Sequence, residues 1–153
     1  MADAANDASL LVDLGAGTGA ITAALCERHP DVPLVAIELQ TGLAAHLRER
    51  FPLADVRCAS ADKALAELTT DAPPDTVVVS SLPFRSLPND WRRRTIAAVE
   101  SFLLADPRRR LVQYTYQPRA PFEPAANCLR WRHVTTVWRN APPAGVWTLQ
   151  CAP

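Results

Sequence analysis

Short apolar runs that each end at a polar residue, helix-patterned stretches between them, and a glycine turn joining the first run to its helix predict an α/β fold. The expected architecture is a doubly wound, mostly parallel sheet with a C-terminal antiparallel strand pair. Leu10, Leu11, Val12 and Leu14 read as a short, fully buried strand. Gly15, Gly17 and Gly19 turn the chain into an alanine-rich helix over residues 20–28. Residues 34–37 (LVAI) form a second strand ending in Glu38, and residues 42–50 a second helix with Leu43, Ala44 and Leu47 on one side. A third strand over residues 55–59 leads into a helix at 63–70, which Pro73 and Pro74 stop. Residues 76–79 (TVVV) make a fourth strand, and Asn89 or Asp90 caps a fourth helix running to about Leu104. In that helix Ile96, Val99, Phe102 and Leu103 fall at core-facing spacing. A fifth strand spans residues 111–116, and a proline-bearing loop follows at 118–127. Strands at about 131–139 and 145–151 flank a turn at 140–144, which implies an antiparallel pair. The 153 residues, 48% of them apolar, fit one compact domain from Met1 to Pro153.

Glycine suits the first turn because a Cβ would block a ligand approaching the backbone, while the helix start offers free N–H groups and a partial positive charge. A nucleotide-like cofactor fits there. The spacing is G-x-G-x-G, whereas a dinucleotide fingerprint reads G-x-G-x-x-G. Asp13, just ahead of the glycines, suits a cofactor with a cationic amino group, as S-adenosyl-L-methionine has. Glu38 stands at the interval expected for an acid that grips ribose hydroxyls. Asp62, after Ser60 and Ala61, reads equally as an acceptor for an adenine amino group and as a helix N-cap.

Together, VDLGAGTGAIT at 12–22, AIEL at 36–39 and SAD at 60–62 resemble the class I S-adenosylmethionine-dependent methyltransferases, a Rossmann-like family. SSLPFRSLP at 80–88 is similar to the SGLPF-type segment of bacterial phospholipid N-methyltransferases, and more distantly to the NLPY or NLPF segment of ribosomal RNA adenine dimethylases. RRLVQYTYQPRAPF at 109–122 and VWRNAPPAGVW at 137–147 also resemble the phospholipid group. The resemblance implies methyl transfer from S-adenosyl-L-methionine to an amine, that of a phosphatidylethanolamine or related headgroup at a membrane surface. It also implies that Gly15, Ala16, Gly17, Gly19, Leu39, Ala61 and Ser80 join Asp13, Glu38 and Asp62 around the cofactor. Ser81, Leu82, Pro83, Phe84 and Tyr116 would then surround the acceptor, with Arg85 and Arg119 as phosphate contacts.

Amine attack on a sulfonium methyl is a direct in-line displacement, so positioning does most of the work. The backbone carbonyls of Leu82, Pro83 and Phe84 are the expected acceptors for the substrate nitrogen, ahead of the Ser81, Tyr114 and Tyr116 hydroxyls. Phe84 either lies against the methyl-bearing region, a cation–π effect of about 0.5–2 kcal/mol, or simply packs. Ser81 stands where the adenine dimethylases carry an amide, which argues against an adenine acceptor and towards an aliphatic amine. The chain also lacks the small helical RNA-binding domain that usually accompanies those enzymes, so a nucleic-acid partner is disfavoured. Only residues 1–9 precede the first strand, where the phospholipid group carries lid helices that lie on the membrane. MADAANDAS has no apolar face to bury in a bilayer. The expectation is a lid supplied by a partner, a shortened form or impaired activity. The alternatives are therefore a non-catalytic or partner-dependent cofactor-binding module, or a ribosomal RNA or small-molecule methyltransferase.

Residues 1–84 hold twelve acids against five bases, and residues 85–139 four acids against eleven arginines, although the net charge is zero. The triplets Arg92, Arg93, Arg94 and Arg108, Arg109, Arg110 either face anionic phosphates or are ordinary solvated surface. Arginine matches phosphate by bidentate contact, which singles out Arg85 beside the expected active site. Cys26, Cys58, Cys128 and Cys151 lack C-x-x-C spacing and are expected as reduced thiols packed in the core. His29, His46 and His133 share no ligand spacing, and no metal is expected. No apolar run approaches the roughly 20 residues of a membrane span, and no basic region opens a signal peptide. The expected location is the cytoplasm, peripheral to the membrane if the acceptor is a lipid. The sequence leaves the oligomeric state open.

Overall fold

The computed structural model describes residues 7–138 and 143–152. Three of its strands are buried along nearly their whole length: β1 (Leu10–Leu14), β2 (Leu34–Glu38) and β4 (Thr76–Ser80). Their branched and aliphatic residues suit strands covered on both faces. With β3 (Asp55–Cys58), β5 (Arg110–Thr115), β6 (Leu129–Val137) and β7 (Ala144–Cys151) they form one sheet in the order β3-β2-β1-β4-β5-β7-β6. The first five strands pair in parallel, and β7 runs antiparallel to both β5 and β6. The fold class expected from the sequence is the one found.

Helices α1 (Ala20–Arg28), α2 (Thr41–Arg50), α3 (Ala61–Asp71) and α4 (Asn89–Leu104) connect the parallel strands. Strand alternation splits the core. Val12, Leu14, Val78 and Leu111 pack with Leu65 and Leu68 of α3 and Val99, Phe102 and Leu103 of α4. Leu11, Val77, Val79 and Val112 face Leu25 of α1. In register, Leu14 sits opposite Ile37 on one side and Ser80 on the other, so the carboxyl ends of β2, β1 and β4 finish level. Strand order reverses between β1 and β4, which opens a crevice at that edge.

Several boundaries differ from the sequence reading for identifiable reasons. Ser60 is the N-cap residue of α3 and Asp62 lies in its first turn, so the capping role offered to Asp62 is not the one it has. The N-cap of α4 is Pro88, leaving Asp90 in the first turn, where an acid complements the helix dipole. Strand β6 begins at Leu129, two residues early, because that buried side chain already pairs with Cys151. The turn expected at 140–144 lies largely outside the described residues.

Several arginines of the two triplets have partners within the chain. Arg93 and Arg94 pair with Asp90, and Arg108 with Asp106 and Asp75. Arg109 is buried, its guanidinium 4.4 Å above the Phe102 ring. It donates to the carbonyls of Thr69 and Ala72 at the end of α3 and of Phe102 in α4. A cation at a helix carboxyl end is favoured, and here it ties α3 and α4 to the start of β5. The cysteines also depart from the core expectation, since Cys58 and Cys128 are exposed. Cys128 and Cys151 hold their Sγ atoms 3.0 Å apart, and this contact, with burial, pushes the Cys151 thiol up to about 11.

Arg109→Met keeps the stem but removes the donor from two buried carbonyls and one part-buried one. We expect it to lower unfolding free energy on the order of 3 kcal/mol in urea titrations. An unchanged midpoint would show that Arg109 does not tie these elements together.

Candidate functional site

The glycine turn is built on Ile37, whose carbonyl accepts from Gly15 at 2.9 Å and Ala16 at 3.0 Å. Gly15, Gly17 and Gly19 all take positive φ, at 80°, 58° and 86°. Their reasons differ. A Cβ on Gly15 would lie 2.5 Å from Cδ2 of Leu82, so this glycine admits the loop after β4 against the backbone. A Cβ on Gly17 would meet nothing within 4 Å, and there the positive φ alone favours glycine. The space beside Gly17 is open, and Gly15 also lines the cavity above the turn.

Glu38 is buried and closes the turn from below: Oε2 accepts from Gly17 N and Oε1 from Gln40 N, both at 2.8 Å. The Gly17 N–H is thus already bonded within the chain. Each carboxylate oxygen keeps a further lone-pair site. Asp13 lies deeper, without solvent exposure, and its Oδ2 accepts from the Thr22 hydroxyl at 2.6 Å. Its Oδ1 is buried with no partner. Burial pushes its pKa up to about 6, opposed by the Thr22 hydrogen bonds, with the Glu38 charge adding to the rise.

A cavity of about 530 Å³ opens above this turn, with Gly15, Glu38, Leu39, Ala61 and Asp62 in its wall. Asp13, Ala16, Gly19 and Ser80 are buried next to this turn, and Gly17 is half-buried; none of the five is among the residues lining the cavity. Ser80 is fully buried, and its Oγ accepts from Leu82 N at 3.1 Å. The far wall comes from one face of α4, where Trp91, Arg94 and Thr95 follow one another at helical spacing. Sequence reading missed these three. Arg94 approaches Asp62 at 3.9 Å. The Ser60 hydroxyl, first-turn N–H groups and Arg94 hold the Asp62 carboxyl below its usual range.

A second cavity, of about 460 Å³, lies across the loop, with Ser81, Leu82, Pro83, Phe84, Arg85 and Tyr116 among its lining residues. Leu82 lines both cavities. The loop holds itself: the Leu82 carbonyl accepts from Phe84 N at 2.9 Å and from Gln113 Nε2 at 3.0 Å. The Pro83 carbonyl accepts from Ser86 N at 2.8 Å and Leu87 N at 3.1 Å. Two of the three carbonyls assigned to the substrate nitrogen are therefore already doubly bonded. Phe84 is buried against Phe122, ring centroids 5.0 Å apart, so its ring belongs largely to the core. Tyr116 is the exposed aromatic there and packs edge-on against Tyr114. Arg85 Nη2 donates to Ala120 O at 2.8 Å, whereas Arg119 is exposed and outside the cavity wall. Gln113 of β5, also in this wall, was not anticipated.

Residues 11–105 match the family model described as a methyltransferase domain, which is well over half of the chain. The chain belongs to that family. It is 33% identical to an ornithine lipid N-methyltransferase of Singulisphaera acidiphila over 102 residues, covering 63% of this chain and 53% of that protein. It is 38% identical to a malonyl-[acyl-carrier protein] O-methyltransferase of Acetivibrio thermocellus over 58 residues, 38% of this chain and 20% of that one. The chain thus spans about half of one curated relative and a fifth of the other. In fold it is similar to a magnesium protoporphyrin IX methyltransferase of Synechocystis with bound S-adenosylmethionine, TM-score 0.65 at 10% identity, covering 99% of this chain and 74% of that one.

The residues present fit that family's cofactor, S-adenosyl-L-methionine. Asp13 Oδ1 is an acceptor without a donor beneath the turn, and Glu38 and Asp62 offer carboxylate oxygens along one cavity. Among the described residues no group of three His, Cys, Asp or Glu side chains is placed to hold a metal ion.

Because the folded-state pKa of Asp13 lies above its ordinary value, the native state keeps a proton that the unfolded chain has lost between about pH 4 and 6. Stability from this group falls as pH rises through that window and stays low above it. Asp13→Asn, which still accepts from Thr22, is expected to gain on the order of 3 kcal/mol at pH 8 and almost nothing at pH 4. Thermal unfolding at the two pH values checks this, and an equal gain at both would refute it. Gly15→Ala is expected to shift the loop and sharply reduce cofactor affinity by calorimetry, since its Cβ meets Leu82.

Proposed function

We propose that this chain is an S-adenosylmethionine-dependent N-methyltransferase acting on an amine, that of a phospholipid or ornithine-lipid headgroup. The observation that carries this reading is the pair of cavities meeting at Leu82, an acid-lined one over the glycine turn and a second without a carboxylate in its wall. When bound, S-adenosyl-L-methionine supplies a methyl group already activated by its sulfonium charge. Glu38 and Asp62 accept hydrogen bonds from the cofactor's ribose and adenine edge, and Asp13 favours its cationic end. The carboxylates draw the cofactor to one side of Leu82, and the loop fixed by Gln113 and Ser80 holds the acceptor on the other. Such positioning supplies most of what an in-line displacement needs.

Support for a lipid amine comes from the relative that methylates ornithine lipid and from Arg85 in the second wall. A guanidinium has five donors, so Arg85 can bond the Ala120 carbonyl and still present others to a headgroup phosphate or carboxylate. Among the described residues, no helix is long and apolar enough to cross a membrane. The reading therefore places contact with lipid at the cavity mouth, where Tyr116 is exposed.

The test is calorimetric titration with S-adenosylmethionine and S-adenosylhomocysteine, then labelled methyl transfer to vesicles containing ornithine lipid or phosphatidylethanolamine. Labelled lipid is the expected result. Binding without any transfer would make the chain a cofactor-binding module, and label in RNA or in a soluble amine alone would replace the lipid. Glu38→Gln sets an amide N–H against a backbone N–H, at Gly17 or Gln40, and should weaken cofactor binding at least about tenfold. Wild-type affinity in that variant would remove Glu38 from the site.

A further inference from the structure

Gln113 stands in β5 between Val112 and Tyr114, and it is 1% exposed. Its Nε2 donates to the Leu82 carbonyl at 3.0 Å and to the Tyr114 carbonyl at 2.8 Å. This pair of acceptors fixes the amide, because turning it over would set Oε1 against two carbonyl oxygens. Oε1 therefore faces away from both, and it is buried without a partner. Trp147, opposite Gln113 in the β5–β7 ladder, does not satisfy it, since the indole Nε1 is itself unpartnered. A buried amide oxygen left without a donor carries a standing desolvation penalty, which a ligand N–H would relieve.

Gln113 belongs to the wall of the second cavity, beside the Ser81–Arg85 loop. The loop carbonyls nearest to it are already in use, Leu82 O twice and Pro83 O twice. We propose that Gln113 Oε1 is the group that selects the methyl acceptor, by accepting a hydrogen bond from a substrate nitrogen that still carries a proton. The inference rests on reading the second cavity as the acceptor site and goes further by naming the chemistry that cavity takes. An ammonium, or a primary or secondary amine, offers the N–H that Oε1 lacks. A carboxylate is an acceptor only and would meet Oε1 with like polarity, so an acid such as a malonyl group is rejected at this position. A fully methylated nitrogen has no N–H to give, so each methyl group installed removes one donor and the finished quaternary product loses its hold on Gln113.

The experiment uses the full chain saturated with S-adenosylhomocysteine and titrated with O-phosphoethanolamine and with phosphocholine, which share a phosphate but differ in N–H content. Wild type is expected to favour O-phosphoethanolamine by about tenfold. Gln113→Met, which fills the same length without a polar atom, should bring that ratio close to one with both titrations run at saturating S-adenosylhomocysteine, because loosening the Leu82 loop alone would weaken both compounds alike. Nitrogen NMR of the wild-type Gln113 side-chain amide gives a second reading that needs no variant, with its signal expected to move on adding O-phosphoethanolamine and to stay on adding phosphocholine. A preserved ratio in Gln113→Met, or an amide signal indifferent to the amine, overturns the role of Gln113 while leaving the second cavity as the acceptor site. Failure of wild type to bind either compound overturns the acceptor site itself and the selection with it.

Discussion

The closeness of Leu82 to the backbone at Gly15 is the constraint on which the site depends. A glycine with φ of 80° leaves a gap where any other residue would place a Cβ, and the Leu82 side chain fills that gap. This single approach brings the loop after β4 onto the turn after β1 and divides one crevice into two compartments. Level strand ends make the approach possible, because Leu14 and Ser80 are register partners and the two loops leave the sheet side by side. Packing on the α3–α4 face then supports the loop from beneath, through Phe84 and its contact with Phe122.

Charge is arranged around the same divide. In the first cavity Glu38 is held by two backbone N–H groups, a geometry that keeps an acid in place without a cationic partner. Asp13 is held less well, with one oxygen bonded and the other bare, and burial raises its proton affinity accordingly. A buried acid under such tension is a common mark of functional placement, since a fold selected for stability alone would replace it. The wall of the second cavity presents a cation, Arg85, and neutral amide and hydroxyl groups.

Much of this architecture can be read from the residue order. The apolar runs and their terminal acids mark the parallel strands, because a strand covered on both faces admits little but aliphatic residues. Glu38 and Asp62 stand out by their places after the second and third strands, and Leu39 and Ala61 through the family resemblance; all four line the first cavity. Other parts depend on the folded backbone. Three glycines in one motif look alike, yet only Gly15 among the first two has a neighbour where its Cβ would be. Three adjacent arginines in α4 look alike too, and only helical phase brings Arg94 beside Trp91 and Thr95. The carbonyls of Leu82 and Pro83 are taken up by hydrogen bonds inside the turn that no spacing rule reveals. Gln113 did leave a trace, as a polar residue in a central strand, but which end of its amide is unused emerges only from the two carbonyls it meets.

The boundary at Leu82 is also a boundary along the chain. The groups that line the first cavity lie between Gly15 and Thr95, inside the stretch matched by the family, whereas the second also draws on residues from Gln113 to Pro121 beyond that stretch. The second cavity thus joins a wall from the shared stretch, Ser81 to Ser86, to one from the strand and loop beyond it. A single leucine therefore stands where a cavity built wholly within the shared stretch meets one built partly outside it.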